Sequence, residues 1–270
     1  MGEIGKILVG LDLKKSTKNL LEYAFDFAEH TGDSLILLHV VDYNEKHRVS
    51  DNPQKAIMAN AKFLTEKSNY LKSIINSLTN KDRVDYSIIT KTGYIHRQIL
   101  EVSEENIVRL ILLGINPEVN YFTFESTIDE VISLSEIPVL IVPENMKYCP
   151  FKNKLYSTDF MYEDSQSIHF MLALDGTLTC LHVDMNEEES EISRKRMDIL
   201  KNIFKNGDIQ YVICQGKVTP SILEYASQIK ADLVGFTHKQ KDLWNHFFHT
   251  STCKSFIKKS AVPTIIFHQY

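Results

Sequence analysis

The chain has 270 residues, 43% of them apolar and 24% charged, with a formal net charge of −5. That length sets a prior of about two domains, each long enough to bury its own core. The mild negative charge offers no basic stripe to nucleic acid, and no apolar run approaches the roughly 20 residues that span a bilayer, so neither nucleic acid nor membrane is an expected partner.

The first apolar run, Lys6–Asp12, begins almost at once and leaves no room ahead of it for a signal peptide. The four cysteines, Cys149, Cys180, Cys214 and Cys253, show no CxxC spacing. Free thiols in a reducing cytoplasm are therefore expected. Ser16 or Thr17 is placed to cap the first helix, whose apolar stripe is Leu20, Leu21, Ala24, Phe25 and Ala28, with Gly32 as its stop. A second strand follows at Ser34–Val41, then a long helix with Ile57, Leu64, Leu71 and Ile75 on its inner side. Val84–Thr90, Val108–Gly114 and Pro138–Pro143 read as three more strands, separated by helices marked by Ile95, Ile99 and Val102 and by Ile128, Val131 and Ile132. These strands are continuous apolar runs, the pattern of strands buried on both faces of a parallel sheet.

The same order then recurs. Lys154–Asp159, Leu178–Val183, Ile209–Cys214, Ala231–Thr237 and Pro263–His268 are the strands of a second copy, whose first helix, from Tyr162 to Leu174, is shortened. Each copy opens on a strand ending in Asp (Asp12, Asp159), continues with a Leu-His-Val strand (Leu38-His39-Val40, Leu181-His182-Val183) and closes on a Pro-led apolar strand. Gly93 stands before Ile99-Leu100-Glu101 as Gly216 stands before Ile222-Leu223-Glu224. A repeat of this length means one domain written twice. The expected architecture is α/β: two tandem open five-stranded parallel sheets with helices on both faces, in domains 1–145 and 151–270, joined by a polar linker at Asn145–Pro150.

Ligands of such sheets bind beyond the carboxyl ends of the strands. In the first copy this selects Leu11 and Asp12, then Gly114 with Ser126 and Thr127 at the start of the fourth helix. Asp12 can accept hydrogen bonds from a ribose or base edge, Gly114 can let a phosphate approach the backbone, and the helix start offers free N–H groups to an anion. Each has a structural alternative: Asp12 as organiser of its loop, Ser126 as an N-cap. His39 and His182, at strand ends, are expected to be hydrogen-bonded structural residues. His169, His182, His246 and His249 supply histidines without an HExxH or Cys/His framework, so no metal site is assigned. Gly93-Tyr94-Ile95-His96 has the look of a nucleotidyl-transferase HIGH box but follows the third strand rather than the first, and is set aside. GxSxG, Walker A and GxGxxG are all absent from the sequence.

The ordered set of Asp-ended strand, Leu-His-Val strand, Leu112-Leu113-Gly114 strand and Ser126-led helix running into Pro138-Val139-Leu140-Ile141-Val142 resembles the universal stress protein family, in both copies. The resemblance implies a fold of the adenine nucleotide alpha-hydrolase-like type and a stress-response role. It also implies pairing of domains, within the chain or as a homodimer, with protein partners unknown. In the nucleotide-binding branch ATP is held by G-x-x-G-x9-G-[S/T]. Carried over, Leu11, Asp12 and Val40 fall on the base side and Gly114 on the first glycine, with Ser126 in the Ser/Thr place. The second glycine becomes Pro117 and the third Glu125, and the stretch is about two residues short. Glu125 adds a negative charge beside the phosphates, unfavourable unless a cation offsets it. The second copy has Thr237-His238-Lys239-Gln240 and Thr250-Ser251 in these places and keeps no motif glycine. Asp159, Val183, His238 and Ser251 mark at most an anion site there. The expected function is a non-catalytic tandem stress-response protein with weak or lost nucleotide binding and no certain cofactor. The alternatives are an ATP sensor using the first domain, with slow hydrolysis, and an enzyme for which no base or nucleophile is apparent.

Overall fold

The computed structural model describes residues 5–42, 53–115, 124–185, 190–239 and 249–269. It divides into two compact units, Met1–Cys149 and Pro150–Tyr270. Unit 1 runs β1 (Lys6–Leu11), α1 (Thr17–Thr31), β2 (Ser34–Asp42), α2 (Pro53–Asn76), β3 (Tyr86–Gly93), α3 (Ile95–Glu105), β4 (Leu110–Ile115), α4 (Phe124–Leu134) and β5 (Val139–Pro143). All of its strand pairs are parallel, in the order β3-β2-β1-β4-β5. Right-handed crossovers over that order put α1 and α2 on one face and α3 and α4 on the other. β1 and β4 stand at the centre, which is why Ile7, Leu8, Val9 and Leu110–Leu112 are wholly buried and read as unbroken apolar runs.

Unit 2 repeats this plan with β6 (Asn153–Ser157), α5 (Ser165–Ala173), β7 (Thr177–Asp184), α6 (Ser190–Ile203), β8 (Ile209–Gln215), α7 (Val218–Gln228), β9 (Leu233–Lys239), α8 (His249–Lys259) and β10 (Thr264–Gln269). Its strand order is β8-β7-β6-β9-β10, again all parallel. Equivalent positions lie 147 residues apart from Ile7/Lys154 to Ala24/Met171, 143 apart over β2 and β7 from Ser34/Thr177 to Val41/Asp184, and 123 apart from Gly93/Gly216 to Gly114/Thr237. The shortening expected in the second copy is thus about one helical turn, taken from α5.

The backbone repeats as faithfully as the strand order. Left-handed φ angles recur at matched places: Leu13 (57°) and Phe160 (54°) after the first strand of each unit, and Ile107 (54°) and Lys230 (52°) after α3 and α7. Gly93 (149°) and Gly216 (148°) turn the chain out of β3 and β8 at angles a side chain rarely adopts. These glycines are explained by the turn alone.

One capping expectation is corrected. α1 begins at Thr17, and Ser16 makes no side-chain cap bond. The first turn is instead tied down from outside, by Asp12.

Candidate functional site

The carboxyl ends of β1 and β4 carry the candidate residues of unit 1. Asp12 Oδ1 accepts the Lys14 backbone N–H at 3.0 Å and the Thr17 hydroxyl at 3.2 Å, and its other oxygen lies 3.6 Å from the Lys14 ammonium. The carboxylate organises the β1–α1 loop, the structural role weighed against ribose recognition. Leu11 and Val40 are buried at the ends of β1 and β2. His39 Nδ1 lies 2.8 Å from the Leu11 carbonyl, which makes it the protonated nitrogen and ties β2 to the loop. His182 does the same to the Thr158 carbonyl at 2.7 Å. Both histidines are therefore hydrogen-bonded to the backbone.

Gly114 does not adopt a left-handed φ. A Cβ built on it meets the Leu20 side chain of α1 at 3.1 Å, so packing against α1 accounts for the glycine. Its unit 2 counterpart is Thr237, and the difference is compensated around it. Where unit 1 has Val9, Thr17 and Leu20, unit 2 has Tyr156, Asp164 and Ser167. The Thr237 hydroxyl bonds the Tyr156 hydroxyl and lies 3.4 Å from that of Ser167. Asp164, 1% exposed, accepts the Tyr156 hydroxyl at 3.1 Å, the Thr158 hydroxyl at 2.6 Å and the Met161 N–H at 3.1 Å. Burial, with the Asp164 carboxylate beside it, drives the Tyr156 phenol pKa well above its ordinary value. A buried polar cluster of this kind is tolerable only because every member is paired. A further exchange sets Lys154 where unit 1 has Ile7. Its ammonium, fully buried, donates to the Met171 and Leu174 carbonyls at the end of α5. Burial pulls its pKa down to about 8, against an opposing pull from Asp175.

In unit 2 the Asp159 carboxylate lies 3.8 Å from His182 Nδ1, and Val183 is buried. The His238 ring sits 5.8 Å from that of His268. The structure thus gathers Asp159 with His182 rather than with His238. The side chains of Ser126 and Ser251 lie outside the described residues, as do Pro117 and Gln240 and the side chains of Glu125, Lys239, His246, His249 and Thr250. Thr127 is buried in the first turn of α4.

Two groupings escaped the sequence reading. Asp184, wholly buried, lies 3.1 Å from His182 Nε2 and accepts the hydroxyls of Ser190 at 2.9 Å and Ser193 at 2.6 Å. The signal was present: Leu-His-Val is followed by Asp184 in unit 2 and by Val41 in unit 1. The second is His96, whose Nδ1 lies 2.6 Å from Glu130 across the α3–α4 contact. Among the described residues no group of three or more His, Cys, Asp or Glu is arranged to hold a metal ion. No described helix is long and apolar enough to cross a membrane.

Parallel five-stranded units with this strand order, helices on both faces and Asp-ended first strands define an α/β protein of the nucleotide-binding type. The universal stress protein family profile matches residues 3–143, and the chain belongs to that family. A universal stress protein from Archaeoglobus fulgidus superposes with a TM-score of 0.74 at 18% identity, covering 98% of this chain and 96% of its own. A Pseudomonas aeruginosa protein of unknown function superposes at 0.63 and 15% identity, covering 98% and 93%. The cytoplasmic domain of a prokaryotic cation chloride cotransporter reaches 0.54 at 12% identity, covering 97% and 95%. These likenesses establish the fold. No curated protein sequence matches the chain significantly.

Proposed function

We propose that the chain is a non-catalytic stress-response protein built of two universal stress protein domains in tandem, with nucleotide binding weak and confined to unit 1. Family membership supports the stress-response role. The observation that carries the rest is the prior commitment of the candidate ligand groups to the protein itself. Asp12 is spent on the Lys14 N–H and the Thr17 hydroxyl, and Gly114 is accounted for by Leu20. Thr237 is spent on Tyr156 and Ser167. A carboxylate already accepting two hydrogen bonds gains little from a ribose, because each new bond replaces one in hand.

Unit 2 goes further, since its interior beneath α5 is rebuilt as a self-satisfied polar cluster. Unit 1 retains Leu11, Val40, Gly114, Ser126 and Thr127 at the positions that would take ATP, which makes it the candidate for binding. Pairing of the two domains within the chain, a homodimer and a cytoplasmic location belong to the same reading. Titration calorimetry with ATP on the full chain is the test, combined with an assay for released phosphate. The expected result is weak binding that saturates at one nucleotide per chain, with no phosphate released above background. Two nucleotides per chain, or turnover, overturns the reading.

A further inference from the structure

β3 and β8 are matched outer strands of the two units, and among the described residues each pairs on one side only, with β2 and with β7. Such a strand turns alternate backbone N–H and C=O groups outward and templates another strand unless something blocks it. In β3 the block is Lys91, whose ammonium lies 3.6 Å from Glu101 and 3.6 Å from Glu105. β8 has no such block. Its sequence, Ile209–Gln215, contains no charged residue and no proline, and its register with β7 runs one to one from Leu178↔Ile209 to Asp184↔Gln215, without a bulge. Cys214 stands where β3 has Lys91, while the acidic residue is kept, Glu224 for Glu101. On the α6 side, Lys201 is drawn over the Tyr211 ring at 5.7 Å and pairs with Asp198 at 3.8 Å, so it covers a face of the strand rather than its edge.

One bond fixes which groups face outward. The Gly216 N–H donates to the Asp184 carbonyl at 3.1 Å. By alternation the even-numbered residues of β8 face β7, and Tyr211 and Ile213 turn their N–H and C=O to the open edge. Charge and closure then select the occupant. An edge without charge takes an uncharged strand without burying an unpaired ion, and β8 of a second copy is such a strand. Laid antiparallel about a two-fold axis at Val212, Tyr211 exchanges both backbone bonds with Ile213 of the second copy. Pairing with β3 of a second copy would carry Lys91 into the new ladder and leave the assembly open-ended, whereas β8 on β8 closes as a dimer.

We propose that β8 is the dimerisation edge of this chain and pairs antiparallel with β8 of a second copy through the outward groups of Tyr211 and Ile213. This rests on the homodimer of the proposed function, to which it gives a surface, and is independent of nucleotide. Sedimentation of the full chain over a range of concentrations should show a monomer–dimer equilibrium. Ile213→Pro removes an N–H that faces away from β7, so unit 2 keeps its own ladder while the dimer dissociation constant rises about tenfold or more. Cys214→Lys restores the block found in β3, with Glu224 in place to receive the ammonium, and weakens the dimer likewise. Cys214→Ser, uncharged, leaves it unchanged. Circular dichroism melts verify that each variant is folded. At the axis Val212 meets its own copy at a Cα separation of about 4.5 Å, within reach of a disulfide. Val212→Cys, combined with Cys149→Ser and Cys214→Ser, is therefore expected to give a cross-linked dimer on mild oxidation. A dimer indifferent to both Ile213→Pro and Cys214→Lys, or one that fails to cross-link at position 212, overturns the proposed surface and leaves the homodimer standing. A chain that stays monomeric at every concentration overturns both.

Discussion

Lys154 is the residue whose chemistry differs most from its repeat partner. An ammonium buried at 0% exposure in place of Ile7 is held by two helix-end carbonyls and, among the described residues, by no carboxylate hydrogen bond. With its pKa near 8 in the folded chain and an ordinary value of 10.5 when unfolded, the unfolded state binds the extra proton between those limits. Stability from this group therefore rises as pH climbs from about 8 to 10.5, by roughly 2–3 kcal/mol at most. Tyr156 and Cys180 act in the opposite sense, because burial raises their pKa values and the folded state keeps protons that the unfolded state loses. The comparison with Lys154→Ile isolates the lysine. Urea unfolding from pH 7 to 10.5 should show the parent gaining on the variant as pH rises, and a constant gap would refute the assignment. Ile107 offers a second test at this scale. It is β-branched, 88% exposed and held at φ 54°. Ile107→Gly removes left-handed strain and sacrifices little packing, so a gain of about 0.5–1 kcal/mol in denaturant unfolding is expected.

At the scale of elements, the alternation of strands and helices, the parallel crossovers and the shortened first helix of unit 2 were legible in the sequence, while the spatial order of the strands was not read from it. Continuous apolar runs and Pro-led closing strands mark a parallel sheet without help from side-chain geometry. Gly114 was legible as a glycine but not as to why it is one, because Leu20 lies far from it in the chain and meets it only across the β4–α1 packing. Thr237 looked like a lost phosphate contact for the same reason. Its partners Tyr156 and Ser167 come from β6 and α5, and no periodicity announces a polar cluster inside an apolar layer. Asp164, which reads as an ordinary acidic residue near a helix start, accepts bonds from three donors. Asp164→Ala strands the Tyr156 and Thr158 hydroxyls and the Met161 N–H, and should cost about 3 kcal/mol, seen as a melting temperature several degrees lower. A loss well under 1 kcal/mol would mean the cluster is not the interior support described.

For the whole molecule, duplication has kept the backbone and let the interiors diverge. The two units share strand order and left-handed residues at matched places, yet Val9, Thr17, Leu20 and Gly114 have become Tyr156, Asp164, Ser167 and Thr237 together. If unit 1 alone binds nucleotide, as proposed, the chain carries its ligand chemistry in one half of the repeat. Hydrogen–deuterium exchange on the full chain, with and without saturating ATP, tests this most directly. The account predicts added protection in unit 1, at residues 11–17, 38–41 and 127–132, with residues 154–164 and 233–238 unchanged. Protection of the Tyr156–Asp164 segment or of Thr237, with or without protection in unit 1, would contradict it.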